Sequence, residues 1–156
     1  MEGTIGTSKL TQVALIVKDI EVTKQKLARF FGCPVPPHFP GGDYAITQTV
    51  YMGAPAPDAN CLLAFFDVGG GVQLELIQPN GVASVWQDFL DQKGEGLHHI
   101  AFNVKGMDQI ILSCENFGMK FVQKGNYGNG SGCYSYLEGG DGLPFIVELL
   151  ENFKHE

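Results

Sequence analysis

The stretch 94-GEGLHHIAFNV-104 sets two histidines, His98 and His99, at the entrance of an apolar run. Imidazole changes charge near neutral pH and ligates metals, so a ring placed there is a candidate for either task. A second candidate lies in 145-FIVELL-150, where Glu148 falls between Ile146 and Leu150 on its own strand face. A carboxylate on an otherwise apolar face needs a partner, because burying an unpaired charge costs several kcal/mol or forces protonation. Glu75 in 72-VQLELI-77 and Gln12 at the head of 12-QVALIV-17 complete a polar set within strand-like runs. Taken singly, Gln12 and Glu75 read as solvated strand residues. Their matched places in the chain are what raise them to candidates.

Those places follow from the elements. Strand side chains alternate between faces, so Val13, Leu15 and Val17 oppose Gln12, Ala14 and Ile16. By the same rule Ile100, Phe102 and Val104 oppose His99, Ala101 and Asn103. The more apolar set is expected to pack beneath a helix and the other to line a cup, with His98 pointing away from His99. Residues 20–32 have helical spacing, with Asp19 to cap the start and Gly32 to end it. The Pro/Gly-rich stretch 33–44 reads as a loop, and 45–52, 61–68 and 72–77 read as strands. Ser84 is placed to cap a short helix over 85–93, closed by Gly94.

Then the pattern restarts. Laying 99-HIAFNVKGM-107 over 12-QVALIVKDI-20 aligns Ala101 with Ala14, Val104 with Val17 and Lys105 with Lys18. A helix follows over 108–118, and strands follow at 119–124, 133–138 and 145–150. The order is βαβββ, a linker helix, then βαβββ, an internal duplication. The reading is one α+β domain over 10–151: module one at about 10–79, linker helix at about 84–94, module two at about 97–151.

Bulk properties narrow the function. The 156-residue chain carries a formal charge of −7 and one arginine, Arg29, so no basic surface is available for nucleic acid. No apolar run reaches membrane-spanning length, and the first residues lack a signal-peptide layout. The four cysteines are scattered, as expected of reduced thiols in a cytoplasmic protein.

The set of quoted segments resembles the vicinal oxygen chelate superfamily, which includes glyoxalases, methylmalonyl-CoA epimerases, extradiol dioxygenases and antibiotic-resistance proteins. KGEGLHHIAFNV is especially similar to the epimerase version of the third-ligand strand. The resemblance implies two βαβββ modules curled into one eight-stranded cup around a divalent metal. Carried over by position, the ligands are Gln12, Glu75, His99 and Glu148. Epimerases usually have histidine in the first slot; the set with glutamine resembles that of zinc-using glyoxalase I. Three oxygens and one nitrogen suit Zn²⁺, Co²⁺, Ni²⁺ or Mn²⁺.

What the resemblance implies chemically is proton abstraction beside a thioester carbonyl, with the enolate stabilised by the metal. Glu148 is one proton-handling candidate, and Asp58, in 54-APAPDANC-61, is the other. The leading expectation is a methylmalonyl-CoA epimerase-type isomerase acting on a small-molecule thioester. Lactoylglutathione lyase is the alternative, although a single arginine offers little to clamp glutathione. A third reading is a non-catalytic drug-sequestering cup walled by Tyr44, Tyr51, Phe65 and Trp86. A homodimer is expected, by resemblance alone. Specificity is expected to lie in loops 33–44 and 126–132.

Overall fold

A computed structural model describes residues 3–153. Ten strands form one sheet in the order β2-β5-β6-β1-β7-β10-β9-β8-β3-β4. The first eight of these positions are two mirrored sets of four. One comprises β1 (Leu10–Ile16), β2 (His38–Pro40), β5 (Cys61–Asp67) and β6 (Gln73–Pro79). The other comprises β7 (Gly96–Asn103), β8 (Lys120–Tyr127), β9 (Gly132–Glu138) and β10 (Ile146–Asn152). The remaining two are a short hairpin, β3 (Val50–Tyr51) and β4 (Ala54–Pro55), docked on the edge of β8.

The sequence reading expected eight strands, and the hairpin makes ten. It also expected a strand over 45–52 and a loop over 33–44. Within 45–52 only Val50–Tyr51 is strand, as β3, and the chain before it forms a short helix, α2 (Tyr44–Thr47), ended by Gln48 at φ 45°. The second strand of module one is displaced into the proline-rich stretch. Proline is tolerated there because β2 is an edge strand that pairs only with β5.

The duplication is legible in the register. β1 and β6 pair in parallel with Ala14 opposite Glu75, and β7 and β10 pair in parallel with Ala101 opposite Glu148. Val17 N donates to Ile77 O just beyond the first pair, and Val104 N donates to Leu150 O beyond the second. The modules meet where β1 and β7 run antiparallel, with Val13 opposite Ile100.

Helices α1 (Ile20–Phe31) and α4 (Met107–Asn116) cover the outer face. Asp19 Oδ1 accepts from Val22 N at 3.0 Å, and Gly32 ends α1 at φ 70°, as the sequence implied. Ile20 and Ala28 of α1 pack with Val17 and Leu76 of the sheet side; Ile111 of α4 packs with Val104, Val147 and Leu149. Dyad-related side chains hold the two helix starts. Gln78 Oε1 accepts from Ile20 N, while both Glu151 oxygens accept from Gly106 N and Met107 N.

The linker helix α3 (Val85–Lys93) lies on the opposite, concave side. Ser84 Oγ caps it, accepting from Gln87 N at 3.0 Å. Trp86, Phe89 and Leu90 pack there with Ala14, Ile16, Ile77, Tyr134 and Tyr136. None of the helices among the described residues is long and apolar enough to cross a membrane. All four cysteines are free thiols.

Candidate metal centre

Across the middle of the sheet the register sets two rows. One runs Glu75, Ala14, His99; the other runs Gln12, Ala101, Glu148. Each row therefore has a fully buried alanine at its centre and longer polar side chains beside it. The small alanines form a floor, and the longer side chains meet above it.

Their meeting is close. His99 Nε2 lies 3.0 Å from Glu148 Oε2 and 3.4 Å from Glu75 Oε2. Each of the three residues offers a ligand atom within 4.8 Å of the other two. Two donors at right angles on an ion about 2.1 Å away would stand about 3.0 Å apart, so the spacing suits a shared cation. His99, Glu75, Glu148 and Gln12 are all at most 8% exposed.

The decisive observation concerns hydrogen bonding. Among the described residues, four buried side-chain atoms have no hydrogen-bond partner: Gln12 Oε1, Glu75 Oε2, His99 Nε2 and Glu148 Oε2. The close nitrogen–oxygen approaches lack the directionality of a hydrogen bond. Buried polar atoms are almost always satisfied, so four orphans in this one set of side chains call for a missing partner. A cation coordinated by all four meets that need, and the residues present fit a divalent metal.

The electrostatics agree. Burial disfavours a charged His99, but the adjacent Glu148 carboxylate, assisted by Glu75, outweighs it and raises the imidazole to about 9. In the metal-free protein the ring therefore holds the positive charge that the carboxylates require. Burial pushes Glu75 up, with the nearby Glu148 charge adding to the effect and His99 opposing it. Gln12 is oriented by its amide nitrogen, which donates to Gln73 Oε1 at 3.5 Å, the long limit of such a contact.

The model described as Glyoxalase/Bleomycin resistance protein/Dioxygenase superfamily matches residues 11–136. The chain belongs to that superfamily. Solved structures share its fold. A methylmalonyl-CoA epimerase from Mycobacterium tuberculosis is 20% identical with a TM-score of 0.62, covering 99% of this chain and 94% of that one. A hypothetical protein from Bacillus halodurans C-125 is also 20% identical, with a TM-score of 0.63 and coverage of 96% and 99%. A Streptomyces coelicolor methylmalonyl-CoA epimerase variant in complex with 2-nitronate-propionyl-CoA is 17% identical, with a TM-score of 0.62 and coverage of 92% and 96%. At such identities the likeness is one of fold. The uncharacterized protein YqjC of Bacillus subtilis (strain 168) is 55% identical over 62 residues, 40% of this chain and 44% of its own length. The chain thus spans less than half of that curated relative.

The superfamily cup holds a cavity of about 730 Å³, bordered by Gln12, Glu75 and Glu148. Lys9 is the single cation in its lining among the described residues. Phe65 and Trp86 line it as expected, whereas Tyr44 and Tyr51 do not; the Tyr51 hydroxyl bonds Asp88 instead. Phe39, stacked on Phe65 at 5.8 Å, joins Tyr127, Tyr134 and Tyr136 in the aromatic wall. The alternation in 133-CYSYLE-138 could have revealed the last two, since it puts both tyrosines on one strand face. Tyr136, paired across from Glu148, accepts from Trp86 Nε1 at 3.0 Å. Its own proton is free for donation, and burial first, then the nearby carboxylates, raise it well above the usual phenol range.

Two further candidates, Asp58 and His98, lie outside the converging set. Asp58 is exposed in a turn and outside the cavity lining, with only its carbonyl engaged, by Asn80 Nδ2 at 2.8 Å. The structure thus brings Gln12, Glu75, His99 and Glu148 together and leaves Asp58 apart. His98 does not point away from His99. Ala14 faces His99 and Leu15 faces Leu97, so His98 is the extra residue of a β-bulge. The bulge breaks the alternation, and both rings end up buried, with their Nδ1 atoms 2.9 Å apart. Burial, then the His99 charge, lowers His98 to about 3, so this ring is neutral.

Proposed function

We propose that the protein is a metal-dependent isomerase that takes a proton from the carbon beside a carbonyl, of methylmalonyl-CoA epimerase type. The observation that carries this reading is the set of four unpartnered buried atoms on Gln12, Glu75, His99 and Glu148, of which Gln12, Glu75 and Glu148 border an aromatic cavity. Gln12, Glu75, His99 and Glu148 would hold the divalent ion, which is Zn²⁺, Co²⁺, Ni²⁺ or Mn²⁺ on the chemistry of the donors. When bound, it supplies Lewis-acid stabilisation to negative charge developing on the substrate oxygen.

The chain's own groups do the rest. Glu148, like Glu75, belongs to the cluster and borders the cavity, and it alone of the two faces Tyr136 across a strand pair; as a ligand that can shift off the ion it is assigned as the base that takes the proton from the substrate carbon. Tyr136, neutral and cavity-lining, offers a hydrogen bond to a substrate oxygen. The aromatic wall excludes water from the reacting end. The lining's lone cation, Lys9, leaves the phosphates of a coenzyme A thioester outside the cup, with only the acyl end inside. A thioester ligand is supported by a structural neighbour, a methylmalonyl-CoA epimerase variant solved in complex with 2-nitronate-propionyl-CoA. The protein is proposed to act as a cytoplasmic homodimer.

A second reading, lactoylglutathione lyase, is favoured by one feature, the glutamine in the first ligand position. It uses the same base and an analogous enediolate. The test is solvent deuterium exchange at C2 of methylmalonyl-CoA by cobalt- or zinc-loaded protein. Exchange is the expected result. No exchange, with turnover of the methylglyoxal–glutathione hemithioacetal, would establish the lyase instead. Protein that takes up neither metal would point to the drug-sequestering alternative.

A further inference from the structure

We propose that His98 is a positioning residue: it fixes which nitrogen of His99 faces the cluster, and it is itself set by the first peptide of the linker helix. The inference rests on the reading of His99 as a ligand and adds the group that holds it.

The proton count leads there. His98 Nε2 lies 3.2 Å from the carbonyl oxygen of Val85, which can only accept. His98 Nε2 must therefore carry the hydrogen, and the neutral ring has a bare Nδ1. The two Nδ1 atoms, 2.9 Å apart, share one proton, which then belongs to His99. With Nδ1 of His99 donating to His98, only Nε2 can offer a lone pair to an ion, and Nε2 is the atom beside both carboxylates. A ligand imidazole held through its other nitrogen is oriented and made more basic by that bond.

The support continues outward. Val85 N donates to Gln123 Oε1 at 2.9 Å, so both sides of that helix start are tied to module two. The His98 ring has no freedom to turn. It sits edge-on to Phe89 at 5.1 Å and to Tyr136 at 5.6 Å, and the residue is 3% exposed. The chain runs Gln123, Val85, His98, His99, and it makes the linker helix part of the centre.

The experiment combines cobalt titration with long-range ¹H–¹⁵N spectra that assign histidine tautomers. In the wild-type protein His98 is expected as the Nε2–H form with and without metal, and zinc-loaded His99 as the Nδ1–H form. His98→Leu should weaken cobalt binding by roughly 10–100-fold. His98→Gln should recover most of the loss, because its carbonyl can accept from His99 while its amide donates to Val85. Leucine within threefold of wild type, or a His98 carrying its proton on Nδ1, overturns the proposal. If the leucine variant fails to fold, the wild-type spectrum decides. Wild-type protein that binds neither metal would sink the metal reading, and the metal-free spectrum would then decide the hydrogen-bond chain by itself.

Discussion

The two modules contribute to the centre from equivalent positions but with unequal firmness. Module one gives Gln12 and Glu75, and module two gives His99 and Glu148. Gln12 is a neutral amide held by one long contact to Gln73. His99 is a ring clamped by His98, flanked by Tyr136 and drawn to two carboxylates. Duplication supplies matched positions, while the side chains that back each position set the strength of the ligand. The firm half anchors through His99, which lies outside the cavity lining, while Gln12, Gln73 and Glu75 of the softer half border the cavity beside Glu148.

This contrast can be broken directly. His99→Ala should reduce cobalt affinity by about a thousandfold, or ~4 kcal/mol, and Gln12→Ala by only about tenfold. Equal losses in the two titrations would mean that the halves are equivalent after all. Next, Glu148→Gln should lower turnover by roughly 10²–10⁴-fold in a deuterium-exchange assay. Glu75→Gln should act through metal affinity, with turnover restored at saturating metal.

The alanine floor gives a smaller, paired effect. Ala14→Leu and Ala101→Leu each insert bulk beneath the converging side chains, and should cost about 1–3 kcal/mol in urea denaturation. Each should also prevent metal uptake in a folded protein. Uptake that survives either substitution would place the ion elsewhere.

A pH experiment separates the halves by charge, because only module two brings an imidazole. His99 titrates at about 9 in the metal-free protein, so at pH 7.5 it holds a proton that an entering ion must displace. Affinity should therefore rise about tenfold per pH unit from 7 to 8.5 and flatten above about 9. Calorimetry in buffers of different ionisation heat should report about one proton released per ion. The smallest effect is expected at Asp58. As an exposed turn residue outside the lining, Asp58→Asn should leave turnover within about threefold. A hundredfold loss would mean that its turn reaches the substrate.

Much of this was legible in the chain. The offset that aligns Ala14 with Ala101 is the one that aligns Gln12 with His99, and all four lie on the seam, where Gln12 faces Ala101 and Ala14 faces His99. Helix starts at Asp19 and Ser84 were readable because a capping side chain bonds locally, three residues onward. The departures came where a distant partner decides. Pro40 is tolerated only because β2 lies at an edge, and Val50–Tyr51 is strand only because β8 offers its own edge. His98 was misdirected by the alternation rule, since a bulge depends on the facing strand and leaves no mark of its own. The convergence of four polar tips came from family resemblance. Periodicity gave their faces, whereas the closeness follows from tertiary pairing.

The seam of β1 against β7 bears on ancestry. A half-length chain meeting a copy of itself would make the same antiparallel join. Every substitution in such an assembly would occur twice, so a glutamine on one side would oblige a glutamine on the other. Only a fused chain can keep histidine at one place and amide at its counterpart. The mismatch between Gln12 and His99 is therefore something covalent linkage made permissible.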